Sequence, residues 1–365
     1  METVRCVGLD VHEQSITVAI AEPAGEVMVL RRIPHDVVEL LKTLKGLAHH
    51  SKVRVAYEAG ATGTGLWRRL NDEGFECIVV APSRIPRTGR QKTDGEDAMR
   101  LARFLRSGDL VSVYVADEDT EALRALTRAR EDAVEAQQRA RGQLRNFLVH
   151  HGLKFDGKTL WTKTHLDWVQ KLKFEHQASR IVRDDYLREV EAAAARIGRL
   201  TKEIEAQAPQ SKQWPKIEAL QALRGVQLVT AATIVFEIGN FARFDNPKRL
   251  MSYLGQVPRE FSSGERVVKG SITKAGNGHV RRVLCEAAWN YRFASTGEAI
   301  KKRRAKTSPA VQALAEKAQT RLYARYRHLM LRKKELNKVN VAVGRELVGF
   351  IWAIAREVEL HQTKH

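Results

Sequence analysis

The sequence predicts an α/β domain at the N-terminal end followed by a long all-α region, and three observations predict it. Within the first 115 residues, apolar runs of strand length come first in direct succession and then in alternation with helix-length segments. From about 118 to 206 the apolar positions keep a helical period over stretches too long for any strand. Beyond the Pro209–Pro215 hinge, short apolar helices alternate with Gly-rich turns and then with strongly basic helices. These changes divide the chain into 1–115, 116–212 and 213–365, in keeping with the two or three domains that 365 residues suggest at ~150 per domain.

VRCVGL at 4–9 reads as a buried strand that delivers Asp10 at its end. SITVAI at 15–20 and VMVLRR at 27–32 extend it into a meander, with Pro23 and Gly25 marking the turn between them. A helix over 36–46 follows, then the strand VRVAY at 53–57, which ends in Glu58. Glu58-Ala-Gly-Ala-Thr-Gly is a tight strand-to-helix turn into a helix at 64–73. ECIVVA at 76–81 is the fifth strand, and a helix runs from Asp94 through AMRLARFLRSG to about 107. Three meandering strands, then helices alternating with strands, is the order of a ribonuclease-H-like domain.

Four acids stand out in that frame. Asp10 and Glu58 come from strand ends, where open α/β sheets build their sites. Asp94 and Asp97 are three apart in the first turn of a helix, on one face and near its positive end. Four carboxylates brought together repel one another unless cations neutralise them; hard oxygen ligands suit Mg²⁺ or Mn²⁺, and phosphoryl transfer uses such ions. Taken singly, Asp10 also reads as a turn residue, Glu58 as a solvated strand end and Asp94 as a helix N-cap. Thr62 and Thr64, with Gly60, Gly63 and Gly65, read as helix entry. Just ahead of Asp94, the span 82–93 carries Arg84, Arg87, Arg90 and Lys92 and no acid; it reads either as a phosphate contact or as a solvated loop.

The middle reads as two long helices, about 118–149 and 179–206, around a basic segment 154–176 that carries Trp161 and Trp168 and breaks into shorter pieces. The long helices fit an antiparallel coiled-coil arm, a subunit contact or a spacer. LQALRGVQLVTAATIVFEIG reads as two short helices joined at Gly225, a shape suited to presenting backbone N–H groups to phosphates. A short helix and the YLGQVP turn follow over 241–258. Residues 261–284 are a dense polar stretch with Ser262 and Ser263 beside Gly264, basic Lys269 and Lys274, and a Gly276-Asn277-Gly278 turn before Arg281 and Arg282. A serine needs a partner to become a nucleophile; from composition Ser263 reads as a turn residue and His279 as helix entry. Residues 301–345 hold 14 Lys/Arg against Glu316 and Glu335, with KKRRAK at 301–306 read as flexible and Arg325, Arg332 and Lys333 as backbone contacts or a solvated face. VGFIWAIA reads as a core helix.

Charge narrows the partners. Lys and Arg number 62 against 43 Asp and Glu, a formal charge of +19, which favours a polyanion, with nucleic acid ahead of a membrane surface. No apolar run reaches the roughly 20 residues that span a bilayer, and residues 1–10 lack an export-signal pattern. Cys6, Cys77 and Cys285 fit neither a disulfide scaffold nor zinc-ligand spacing, so a cytoplasmic setting is expected.

The ordered set of motifs resembles a known family. GLDVH with Asp10, YEAGATG with Glu58 and KTDGEDAMRLA with Asp94 and Asp97 are similar to the four acids of the DEDD-type transposases of bacterial insertion sequences, relatives of the Piv-like DNA invertases with a RuvC-like first domain. GVQLVTAATIVFEIG, YLGQVPRE with SSG, and KGSITKAGNGHVRR resemble that family's second, helical domain. The resemblance implies a serine nucleophile in a Tyr-x-Ser-Gly-like motif. Phe261-Ser262-Ser263-Gly264 occupies its place, with Ser263 matching best, Ser262 second, and Phe261 and Glu265 as departures. It further implies a phosphoserine intermediate, Mg²⁺ (or Mn²⁺) on the four acids, and donor and target DNA as partners. A structured non-coding guide RNA, assembly as a homodimer or homotetramer and location at the bacterial nucleoid also follow from it. Lys269, Lys274, Arg281 and Arg282 would then hold DNA backbone or guide RNA. A water-using Mg²⁺-dependent nuclease, a site-specific invertase and a non-enzymatic nucleic-acid-binding protein are the alternatives.

Overall fold

The computed structural model describes residues 4–49, 51–82, 85, 93–263 and 266–362; of 261–263, 266, 267 and 269 it describes the backbone alone. The chain forms two compact units, Met1–Ala116 and Asp117–His365.

Unit 1 is a five-stranded mixed sheet. β1 (Val4–Val11), β2 (Ser15–Ala21) and β3 (Val27–Pro34) form the antiparallel meander; α1 (Val37–Ala48), β4 (Lys52–Glu58), α2 (Gly65–Asp72), β5 (Glu76–Val80) and α3 (Asp94–Ser107) follow. The strand order is β3-β2-β1-β4-β5, with β4 parallel to both β1 and β5, which is the ribonuclease-H-like topology. The two faces of the sheet differ in side-chain size. Val7, Leu9, Ile16, Val18, Val55 and Tyr57 face Leu40 and Leu44 of α1 and Leu66 and Leu70 of α2 in one large core. The opposite face carries Cys6, Ala21 and Ala56 against Ala102 and Leu105 of α3. Gly8 lies on that second face by strand alternation. A Cβ there would stand 2.1 Å from the Ala98 carbonyl oxygen and 2.5 Å from the Ala102 nitrogen. The α3 backbone therefore rests on the β1 backbone with no side chain between them.

Unit 2 opens with α4 (Glu118–His150), α5 (Lys163–Lys171) and α6 (Gln177–Gln207). α4 and α6 pack antiparallel: Leu144 and Leu148 cluster with Leu187 and Val190, while nearer the other end Arg130 Nε donates to Thr201 Oγ1 at 2.7 Å. α7 (Trp214–Leu220), α8 (Leu228–Ile238), α9 (Pro247–Tyr253), α10 (Gly278–Trp289), α11 (Glu298–Arg304), α12 (Pro309–Leu331) and α13 (Leu336–Gln362) surround a core that includes Leu223, Phe236, Phe241, Leu284, Tyr291 and Leu347. Among the described residues no helix is long and apolar enough to cross a membrane.

Two expectations in unit 2 are corrected. The polar stretch after 258 contains a two-stranded antiparallel hairpin, β6 (Pro258–Ser263) and β7 (Arg266–Ile272). Its signal was Phe261, Val267, Val268 and Ile272 on either side of Gly264-Glu265, a pattern that the high polarity masked. The 301–306 run is not a loose tail: α11 covers most of it, and Arg304 is buried with Nε and Nη2 donating to the Ala222 and Ala315 carbonyls. Backbone carbonyls can ground a buried guanidinium, which a composition reading does not see.

A buried acid ties three helices of unit 2. Glu237 on α8, its side chain 1% exposed, accepts from Arg128 Nε at 2.6 Å and Nη2 at 2.8 Å on α4, and from Asn277 Nδ2 at 2.6 Å. Asn277 also caps α10, its Oδ1 accepting from Val280 N. Burial pushes the Glu237 carboxyl up, but the hydrogen bonds from Arg128 and Asn277 and the attraction of Arg128 outweigh it and hold the group below its ordinary 4.5.

Two outcomes are expected. Gly8→Ala forces α3 off the sheet and destabilises unit 1 by about 3 kcal/mol, measured by urea unfolding followed at Trp67, the one tryptophan of that unit. A depressed carboxyl contributes stability that is present above its unfolded value and lost as pH falls through its folded value. The unfolding midpoint of unit 2 is therefore expected to drop on acidification below about pH 4.5. Glu237→Gln removes that component, flattening the profile while lowering stability at neutral pH by about 3 kcal/mol.

Candidate metal centre

The strand alternation that exposes Gly8 to α3 also aims the acids. On β1, Cys6, Gly8 and Asp10 share the α3 face. On β4, Ala56 and then Glu58 do the same, so the small residues that admit the helix are followed two positions on by carboxylates. α3 starts beside them because Thr93 caps it, its hydroxyl accepting from Glu96 N, which places Asp94 and Asp97 in the first turn. Gly108, in the left-handed region, ends it.

Asp10, His12 and Asp94 each offer one ligand atom, and the three atoms lie within 4.8 Å of one another. His12 Nε2 is 3.1 Å from Asp10 Oδ2 and 3.6 Å from Asp94 Oδ1. The turn holds the His12 backbone, with its N–H donating to the Ser15 carbonyl and its own carbonyl 2.6 Å from His35 Nδ1. Arg32 Nη2 stands 3.5 Å from Asp94 Oδ2. Beside this group, Arg100 Nη2 bridges Asp97 Oδ1 at 2.7 Å and Glu58 Oε1 at 3.6 Å. The expected four acids are thus distributed over two neighbouring sets, Asp10 with Asp94 and Asp97 with Glu58.

Burial raises the Asp10 carboxyl above its ordinary value; His12 opposes this, and the negative charges of Asp94 and Asp97 add to it. A divalent cation would relieve both the repulsion and the desolvation. The donor set fits one: two hard carboxylate oxygens and an imidazole, half open to solvent and able to coordinate a divalent ion. His12 was missed in the sequence reading. Its signal was the i, i+2 spacing from Asp10 in Asp-Val-His, which puts both on one face of an extended segment.

The other expected site residues lie as follows. Ser263 ends β6, its backbone paired with Arg266 across the hairpin, and Lys269 pairs with Glu260. Lys274 is exposed in the turn that follows, with positive φ. Arg281 Nη1 donates to the Leu254 and Gly276 carbonyls, tying two turns together. Arg282 Nε donates to Glu131 Oε1 at 2.6 Å, and its Nη1 donates to Glu286. His279 Nδ1 shares Glu131 at 2.8 Å in the first turn of α10. Arg325 pairs with Glu346 of α13 at 3.1 Å, whereas Arg332 and Lys333 are exposed at the end of α12. Arg84, Arg87, Arg90 and Lys92 lie outside the described residues.

A ribonuclease-H-like sheet with carboxylates at adjacent strand ends and a metal-competent group defines a class, the metal-dependent phosphoryl-transfer enzymes of nucleic acid. Comparison with known proteins carries this further. Residues 7–152 match the family model for the IS110-type DEDD transposase, and residues 217–304 match that of the IS116/IS110/IS902 transposase family. A putative transposase of Sinorhizobium fredii is 43% identical over 96% of this chain and 88% of its own. The transposase for insertion sequence element IS1533 of Leptospira borgpetersenii is 33% identical over 91% of this chain and 98% of its own. That for element IS1111A of Coxiella burnetii is 21% identical over 99% and 92%. The chain belongs to the IS110 family of DEDD transposases. It is an enzyme, a transposase acting on DNA through a carboxylate cluster able to bind a metal ion.

Titration with Mn²⁺, read by isothermal calorimetry, tests the centre without any DNA. Asp10→Asn is expected to abolish binding to unit 1, and His12→Ala to weaken it about tenfold. Unchanged or tighter binding in His12→Ala would assign the imidazole to a counter-charge role instead.

Proposed function

We propose that this transposase is RNA-guided and joins DNA through a phosphoserine intermediate. Ser263 is the nucleophile, and Asp10, Glu58, Asp94 and Asp97 are the acids. The observation that carries the reading is the convergence of Asp10, His12 and Asp94 beside the Glu58–Arg100–Asp97 set at adjacent strand ends. That acid pattern, followed along the chain by the Ser263 hairpin, is the order of the family's motifs. A bound Mg²⁺ or Mn²⁺ supplies charge stabilisation for the phosphoryl oxygens.

The Ser263 hydroxyl loses its proton and attacks a DNA phosphorus. The bond to the 3′ oxygen breaks, that oxygen leaves as a hydroxyl, and the phosphate stays on the serine. Attack by a 3′-hydroxyl on the phosphoserine reverses the step and releases the serine, so strands are exchanged without net hydrolysis. Asp10 and Asp94, with His12, would hold the cation. Arg100, which spans Asp97 and Glu58, offsets the charge of the other two acids. Residues 1–115 carry the acids, 213–365 the serine, and 116–212 assembles copies into a dimer or tetramer. The serine and the acids come from one copy or from two within that assembly. A structured guide RNA matched to donor and target is contacted through phosphate and shape by the basic surfaces, among them Lys269, Lys274, Arg332 and Lys333. A bacterial protein working on chromosomal DNA acts at the nucleoid.

Denaturing gels of a labelled donor–target reaction, with the candidate RNA and Mg²⁺, test this reading. Wild type is expected to give a protein–DNA adduct and recombinant product, and Ser263→Ala and Asp10→Asn neither. Product without an adduct, unaffected by Ser263→Ala, would replace the reading with a water-using nuclease.

A further inference from the structure

The end of unit 2 where α4 passes into α5 carries a feature that the metal chemistry does not use. Phe155 folds back over Gly157, where a Cβ would stand 2.2 Å from its ring. Phe155, Trp161 and Trp168 then surround His165, with ring centroids 5.0, 5.1 and 5.8 Å from the imidazole. These rings, with Arg145 and Lys154, line a cavity of about 350 Å³. The rest of the lining is aliphatic, and it includes no carboxylate among the described residues.

Three details are more than core packing requires. Trp161 has φ of 66°, a left-handed conformation that a bulky aromatic residue adopts only where its surroundings hold it. His165 is 3% exposed, and its buried Nδ1 has no hydrogen-bond partner among the described residues. Arg141 lays its guanidinium 5.2 Å from the Trp161 ring centroid, and its buried Nε likewise has no partner there. Buried polar atoms without partners are uncommon in native folds and call for an explanation. Burial holds the His165 imidazole below its usual value, so at neutral pH the ring is uncharged, with one N–H and one bare lone pair.

We propose that this aromatic cup takes one unpaired nucleobase from a bound strand, stacked among Phe155, Trp161 and Trp168, with its phosphate at Arg145 and Lys154. A base has the flat faces that stack on aromatic rings whatever its identity, and edge donors and acceptors that complement a neutral imidazole. At about 350 Å³ the cavity is large enough for a base. Charge favours a nucleic acid over a second copy of this chain. Exposed Arg145 and Lys154 line the cup, and a second copy would bring the same cations against them, whereas a phosphodiester complements them. Exposed Asp156, Asp167, Lys158 and Lys163 lie in the same segment, and none of the four lines the cavity.

The experiment is fluorescence anisotropy of the full chain in EDTA, so that its result is independent of metal and of Ser263 chemistry. Labelled duplexes are fully paired, or carry one bulged base, or carry an abasic bulge, each as DNA and as RNA. Wild type and Asp10→Asn are both expected to bind the bulged duplex about tenfold tighter than the paired one, the size of effect one stacked base gives, and the abasic bulge is expected to lose that gain. The arm that shows the preference, DNA or RNA, names the strand. Trp168→Ala is expected to abolish the preference. Arg145→Glu, at an exposed position, is expected to lower bulged-duplex affinity at least about fivefold with circular dichroism unchanged; it decides the matter if Trp168→Ala fails to fold. Equal affinity for all three duplexes in both arms, or a preference that survives both substitutions, would overturn the proposal. So would a cup filled by a second copy, seen as Arg145→Glu altering sedimentation and not binding.

Discussion

The metal centre depends on the absence of a side chain at Gly8. α3 reaches the sheet so closely that its Ala98 carbonyl and Ala102 nitrogen occupy the space a Cβ would need. Cys6, Ala21 and Ala56 keep the rest of that face low. Because side chains alternate along a strand, the face that is small enough to seat the helix is also the face on which Asp10 and Glu58 project two residues later. The first turn of α3 then meets them with Asp94 and Asp97. Packing and chemistry share one surface, so a change that lifts the helix also separates the acids.

The chain uses its acids in two opposed ways, and distance separates them. In unit 2, Glu237 and Glu131 meet arginine at 2.6 Å, and Glu237 is almost fully enclosed with two further donors on its Oε2. Such groups hold helices together and have no vacancy for another ligand. Among the described residues, Asp94, 43% exposed, has its ion-pair contacts at 3.5 and 3.6 Å, to Arg32 and His12. Contacts this long cost little to exchange, which is what a site receiving a metal ion needs. Arg100 is the intermediate case, tight on Asp97 and loose on Glu58.

Most of the first unit was legible in the sequence. The strands and helices of 4–107 have strong periods and clear turns, and their order predicts the sheet. The acids were legible because strand ends and a helix start locate them. His12 was not singled out, since a histidine just beyond a strand has no period of its own; its alternation with Asp10 acquires meaning only once α3 brings Asp94 to the same side. In the second unit the β6–β7 hairpin was hidden by polarity, and α11 by its run of cations. The sequence reading expects Arg281 and Arg282 to hold nucleic acid, and it does not show what holds these side chains themselves. The fold gives them carbonyls and carboxylates from residues as distant as Leu254 and Glu131.

By itself the sequence determined the local events: which segments are strands, where helices begin, which positions bear carboxylates, and the excess of positive charge. These follow from short-range periodicity, capping and composition. Tertiary structure alone decided which charges are spent on the fold and which remain for chemistry. It also decided that Phe155, Trp161, His165 and Trp168 close around a cavity instead of scattering along a basic segment. The reason is physical: a side chain's partner is set by distances between elements far apart in the chain, and no local pattern encodes those distances.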